Sequence, residues 1–373
     1  MLLFVPSLSS TALTTFLING LPHIDFQIGV VNRDYHHLSR FEIGGAKRIY
    51  QQLSETRGNE VAVSVHRRDS RLECLWKAMG LNYNAQTPSL PTIREMKIVN
   101  TEAKIAGHYT RGGLEQTILQ GVAKAGKDAA RPTVEDFALV DEFHVGGIEA
   151  TKELAAQMDL RPELRLLDVG CGIGGPARYF AAEHGCKVVG IDLTEEFVQV
   201  ATSLTGRLKL DHLVEFHQAS ALALPFGPST FDRAYMIHVG MNISDKNAVF
   251  SQVHRVLKPG GLFAIFDFVR AARGPLRFPV PWALTEDTSF VAEVNEYCNA
   301  LEAAGFRVTH QRGRRTFAIE FIARGMARMA QGGPPALGIH LLVGEAAKPM
   351  LNNVLTMMEE GILDPVELCA VAI

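Results

Sequence analysis

"LLDVGCGIGG", Leu166 to Gly175, is the stretch on which the reading of this chain turns. Gly170, Gly172 and Gly175 spell G-x-G-x-x-G behind an apolar run, the pattern of a parallel strand that turns sharply into a helix. Glycine suits such a turn because, without a Cβ, it takes positive φ and lets a ligand approach the backbone. Dinucleotide loops share this spacing. Asp168, two residues before Gly170, argues against a pyrophosphate: like charges in a partly dry pocket repel, whereas a cation would be held.

Working outward, "RLLDV" (165–169), "CKVVGI" (186–191), "LVEFHQ" (213–218), "FDRAYMI" (231–237) and "GLFAIFDF" (261–268) read as strands. Helices are predicted to start near Pro176, Thr194 and Ser244, and strand–helix alternation implies an α/β fold with a parallel, doubly wound sheet. Glu195 and Glu196 lie in a first helical turn, where the helix dipole favours negative charge. Beyond "FPVPWA" a helix runs to about Ala304, followed by a strand "FRVTHQ", a loop "QGGPPALG", a strand "IHLLV" and a helical end. Upstream, Leu114, Ile118 and Val122 recur at helical spacing, so residues 96–160 are expected to form a helical layer and 161–373 the ligand-binding domain. Residues 1–95 are irregular in pattern. The change of texture at Met96 suggests a natural start there, with the preceding stretch a dispensable extension.

Composition narrows the function classes. A net charge of −3 with 47% hydrophobic residues is that of an ordinary globular chain with no basic excess for nucleic acid, and "RGRR" (312–315) reads as a solvated turn. The five cysteines are scattered without a C-x-x-C pair, which points to reduced thiols and no metal site. The apolar start lacks a basic flank and no run reaches the ~18 apolar residues of a bilayer span, so a cytoplasmic protein without membrane insertion is expected.

Asp192 lies at a strand end, 22 residues after Gly170, where a carboxylate accepts hydrogen bonds from both ribose hydroxyls or caps the helix that follows. Together "LLDVGCGIGG", "VVGID", "FDRAYMIHVGMNI" and "RVLKPGGLFAIFDF" resemble, in order and spacing, the class I S-adenosylmethionine-dependent methyltransferases, particularly the small-molecule branch with ubiquinone-type and sarcosine/dimethylglycine-type enzymes. The resemblance implies a Rossmann-like, doubly wound seven-stranded sheet, its last strands an antiparallel hairpin at one edge, under a helical N-terminal lid. It implies S-adenosyl-L-methionine as cofactor. Gly170, Gly172 and Gly174 would underlie its methionine part, Asp168 would face its ammonium, and Asp192 with Leu193 would hold the ribose. In "HQASALALPF" the chain departs from the pattern: Ser220 stands where an acidic residue contacting adenine is usual, so that contact falls to an uncharged hydroxyl or to the Ala221 N–H.

Methyl transfer needs mainly proximity and alignment, with a base only where the acceptor must lose a proton. His238, at the end of the fourth strand, is the candidate for catalysis and cofactor contact. Tyr109 and His144 in the lid, and Trp282 through a cation–π contact, are candidates for the substrate; each also has a plain packing reading. Asp267 resembles a fifth-strand acidic position of relatives. The favoured acceptor is a small amine, with a quinone-type or other carbon or oxygen acceptor as the alternative. Two further readings are an NAD-dependent oxidoreductase and a non-catalytic nucleoside-binding protein. Oligomeric state leaves no sequence signal.

Overall fold

The structure, a computed structural model, describes residues 26–31, 38–41, 60–65, 93–333 and 335–373. The chain divides into two units, Met1–Lys97 and Ile98–Ile373. In the first, strands β1 (Phe26–Val31), β2 (Leu38–Phe41) and β3 (Glu60–Val65) make an antiparallel sheet of order β2-β1-β3, with Ile28 paired to both Phe41 and Val63. The sequence had shown only irregular text here, since these strands depend on pairing between segments rather than on a long periodic run.

Helix α1 (Ile93–Tyr109) contains Met96 within its first turn. Then come α2 (Leu114–Lys124), α3 (Val134–Asp141) and α4 (Gly147–Gln157). Leu114, Ile118 and Val122 are buried along one face of α2, as their spacing predicts. Thr133 caps α3 by accepting from the Asp136 N–H, and Asp136 answers through the Thr133 N–H.

The sheet follows: β4 (Arg165–Val169), α5 (Gly175–His184), β5 (Lys187–Asp192), α6 (Glu195–Arg207), β6 (Val214–Gln218), β7 (Phe231–Ile237), α7 (Lys246–Val256), β8 (Leu257–Arg270), α8 (Val294–Ala303), β9 (Phe306–Gly313), α9 (Arg315–Gly332), α10 (His340–Val343), α11 (Ala347–Glu359) and β10 (Leu363–Ala372). Its order is β6-β5-β4-β7-β8-β10-β9. β4 to β8 are mutually parallel, and β10 runs antiparallel between β8 and β9. Side-chain alternation builds two cores: Leu166, Val188 and Phe266 face α4, α5 and α11, whereas Leu167, Val189 and Ile265 face α7 and α8. A third cluster joins α2 and α3 to α6 through Ile118, Phe137 and Val200.

The seven-stranded Rossmann-like expectation holds; three local readings do not. "IHLLV" is helical over His340–Val343, with Leu342 and Val343 packed into the third cluster, because a short apolar run has no intrinsic choice between strand and helix. The seventh strand is β10, buried along nearly its whole length, so the polar alternation that marks a strand is missing. "RGRR" is no solvated turn. Arg314 is buried and paired with Glu153 and with Glu367, itself fully buried on β10, while Arg312 Nε and Gln157 Nε2 each donate to Glu367 at 2.9 Å.

Breaking a buried pair from one side leaves an uncompensated charge. Glu367→Ala is expected to cost roughly 3–5 kcal/mol in unfolding free energy by urea denaturation. Lys258→Ala, losing only a half-exposed pair with Asp232, should cost about 1 kcal/mol or less.

Candidate functional site

Sheet order reverses at β4, where the chain passes to β5 on one side and β7 on the other, and a crevice opens at the carboxyl ends of these strands. Its floor is the turn after β4. Gly170 N–H and Cys171 N–H both donate to the Ile191 carbonyl (2.9 and 2.8 Å), which ties the loop to β5. Gly172 has φ +52 and open space where a Cβ would stand, so this backbone is bare toward the crevice. Gly174 differs from its expected role: it is not among the crevice-lining residues, and its missing Cβ makes room for Phe216 and Arg178.

Arg178 was not legible as a functional residue. It is fully buried beneath the loop, with Nη2 donating to Asp141 Oδ2 and to the Ile173 carbonyl, both at 2.8 Å. The end of α3 is thereby pressed onto the loop; a Cβ on Gly175 would lie 2.3 Å from the Asp141 carbonyl oxygen.

Charge sets the character of the crevice. Glu102, Asp141, Asp168 and Asp192 line it, and among the described residues no Lys or Arg does. Asp168 is buried and its Oδ2 has no hydrogen-bond partner among the described residues. Burial pushes its carboxyl up to about 8, against the lowering effect of the neighbouring Tyr235 hydroxyl, with the nearby Asp192 adding to the rise. Asp192 accepts from Gly172 N–H (2.9 Å) and Thr194 N–H (2.8 Å), one bond on each oxygen, so each keeps a lone pair; burial raises its pKa also. Leu193 and Ala221 line the same wall.

His238 follows β7 with φ +53, a left-handed conformation that costs a non-glycine residue about 1 kcal/mol or more. Its N–H donates to the Phe266 carbonyl at 2.7 Å, and its ring packs against Phe266 and Phe268 at 4.9 and 4.7 Å between centroids. Nε2 is buried without a partner among the described residues, and burial pulls the imidazole pKa well below its usual value. His144 stands edge-on to it at 5.9 Å, its own pKa lowered to about 4 by burial. Both rings line the crevice as neutral imidazoles.

Tyr109 also lines the crevice and donates to Asn242 Oδ1 at 3.0 Å. Ser220 lies just outside the lining: its hydroxyl donates to Glu102 Oε1 at 2.5 Å and accepts from the Leu222 N–H at 3.0 Å. Trp282 is buried, stacked on Phe268 at 5.2 Å and bonded through Nε1 to Ser289, and it is not among the crevice-lining residues, a position that matches its packing reading. Asp267 is likewise internal, accepting from the Tyr297 hydroxyl at 2.8 Å.

Residues 167–265 match the family described as "Methyltransferase domain". Among curated proteins, the chain is 39% identical over 130 residues to phosphoethanolamine N-methyltransferase 3 of Arabidopsis thaliana, covering 35% of this chain and 26% of that protein. It is 29% identical over 180 residues to the sterol 24-C-methyltransferase erg6 of Aspergillus fumigatus, covering 47% and 48%. The chain thus spans at most about half the length of these relatives. Solved structures share the fold. A geranyl diphosphate C-methyltransferase of Streptomyces coelicolor superposes with a TM-score of 0.55 at 15% identity, over 77% of this chain and all of that one. Phosphoethanolamine N-methyltransferase 2 of Haemonchus contortus gives 0.53 at 21%, over 62% and 55%. None of this supports the oxidoreductase reading.

The Asp168 environment has a measurable cost. Between the ordinary carboxylate range and about pH 8 the folded chain retains a proton that the unfolded chain releases, so stability falls as pH rises through that window. Asp168→Asn should flatten this slope and gain about 1 kcal/mol or more at pH 8, read by denaturation across pH.

Proposed function

With residues 167–265 a methyltransferase domain of the class I, S-adenosylmethionine-dependent kind, we propose that the chain transfers methyl groups from S-adenosyl-L-methionine to a small-molecule acceptor, with an amine favoured. One observation carries the reading: the buried Asp168, its Oδ2 without a hydrogen-bond partner among the described residues, and the bare backbone of Gly172 line one crevice with Glu102, Asp141 and Asp192 and, among the described residues, with no basic side chain. Such a lining offers a pyrophosphate no cationic partner, whereas an ammonium brought against Asp168 favours its ionised form and is held by it. In this reading Asp168 takes the ammonium, Gly170 and Gly172 flank the methionine part, and Asp192 takes the ribose hydroxyls beside Leu193. Bound in this way, the cofactor supplies an electrophilic methyl group on a sulfonium.

The chain's own residues then align the acceptor, exclude water and accept a proton. Tyr109, Phe143 and Phe197 wall the crevice from the lid side, and Asn242 holds the Tyr109 hydroxyl. The acceptor would be aligned on this wall toward the methyl group that the bound cofactor would supply. Where the acceptor must shed a proton, His238 Nε2, buried without a partner among the described residues, is the group assigned to receive it. The absence of basic lining residues among those described also argues against an acceptor recognised by a phosphate, although two of the relatives named above carry phosphoethanolamine in their names. The apolar wall of Ile105, Phe143 and Leu342 favours a second reading, a carbon or oxygen acceptor on a flat or greasy molecule. A protein of this kind acts on dissolved small molecules, without nucleic acid; no helix among the described residues is long and apolar enough to cross a membrane.

Calorimetric titration with S-adenosylmethionine, S-adenosylhomocysteine and NADH tests the cofactor. Binding of the adenosyl compounds alone is expected, weakened roughly 10- to 100-fold in Asp192→Ala; binding of NADH alone would refute it. Transfer of labelled methyl across amines, phenols and sterols then tests the acceptor, and silence across the panel would favour a binding protein without turnover. His238→Ala should lower kcat about 10²- to 10⁴-fold while cofactor affinity changes little.

A further inference from the structure

Sheet order dictates which way a bound nucleoside runs. β6, β5 and β4 lie side by side, with Asp168 at the end of β4 and Asp192 at the end of β5. A nucleoside held by its ribose at Asp192, with its charged end over β4, sends its base across the end of β6. The wall there is Leu193, Ala219, Ala221 and Leu222, which suits a flat ring but whose side chains read none of its polar edge. Ser220 brings no charge, and its hydroxyl is already engaged at both ends, by the Leu222 N–H and by Glu102. Glu102, 118 residues earlier on α1, lines the crevice beside this wall, with Oε1 held by that hydroxyl.

We propose that Glu102 reads the exocyclic amine of the adenine base, so that the carboxylate expected at the end of β6 is supplied from the lid helix and fixed there by Ser220. This rests on the cofactor reading given above. A carboxylate only accepts, so a group placed at the 6-position favours a 6-amino base, which donates there, over a 6-oxo base, which presents an oxygen there and moves its donor to N1. Because the reading group rides on α1, seating the lid and recognising the base become one event, and a ligand with the wrong base loses the lid contact as well.

The test compares calorimetric affinities of the full chain for S-adenosylhomocysteine and S-inosylhomocysteine, which differ at position 6, amino against oxo, and in the proton that the oxo base carries on N1. Wild type is expected to prefer the adenosyl compound roughly 10- to 100-fold. Glu102→Ala should bring the two within about threefold, and Glu102→Gln, whose amide can donate to an oxo group, should equalise or reverse them. Ser220→Ala should narrow the preference by freeing the carboxylate. Thermal melts of each variant confirm folding, and Glu102→Gln, nearly isosteric, preserves the test should Glu102→Ala unfold. A wild-type preference that survives in both Glu102 variants, even with both affinities lowered equally, overturns the proposal and leaves the cofactor assignment standing. A wild type that binds neither compound removes both.

Discussion

The fully buried ion pair between Arg178 and Asp141 is the constraint on which the crevice depends. A loop of four glycines has no shape of its own, since each gains more freedom on unfolding than any other residue. Arg178 gives it one: from the first turns of α5 the guanidinium bonds the Ile173 carbonyl in the loop, Asp141 at the end of α3, and Thr205 on α6. Three helices and the loop are thus locked by one planar fork, whose geometry a lysine could not reproduce. Removing two charges from water is costly, and the cost is offset through the two Nη groups, which find acceptors, while Nε is buried without one among the described residues.

With that floor set, the polar groups left unsatisfied are meaningful. Asp168 and His238 are both buried, and each has an atom without a partner among the described residues; His238 also carries backbone strain. Such features destabilise an isolated fold and persist where the surrounding packing over-determines them. They lie at the carboxyl ends of β4 and β7, on either side of the reversal in strand order, where the sheet by its topology leaves room for a ligand.

The lid is joined to this floor in two ways. Apolar packing joins α2 and α3 to α6, and α1 adds polar contacts, Tyr109 to Asn242, His108 to the Pro281 carbonyl and Glu102 to Ser220, to the packing of Ile105 and of the Tyr109 ring on Phe143 and Phe197. Glu196 adds a clasp at the turn after α1, accepting the N–H groups of Arg111, Gly112 and Leu114.

Asp168, Gly170, Gly172, Asp192 and the strands around them were legible because their chemistry is local: apolar runs at strand length, glycines at a turn, a carboxylate at a strand end. The parallel direction of β4 to β8 followed from strand–helix alternation. What the sequence by itself could not determine depended on partners distant in the chain. β10 lacks the alternation of a half-exposed strand because both its faces are covered. Glu196 reads locally as a first-turn carboxylate of its own helix, yet it serves the start of α2. Trp282 and Gly174 matched patterns for contact, and their packing, Trp282 on Phe268 and the Gly174 backbone against Phe216 and Arg178, was not legible in the sequence. Only the tertiary structure decided that Arg178 would sit beneath the loop and that Glu102 would meet Ser220, because a side chain's role is set by which groups the fold brings within hydrogen-bond reach, and spacing along the chain carries no record of that.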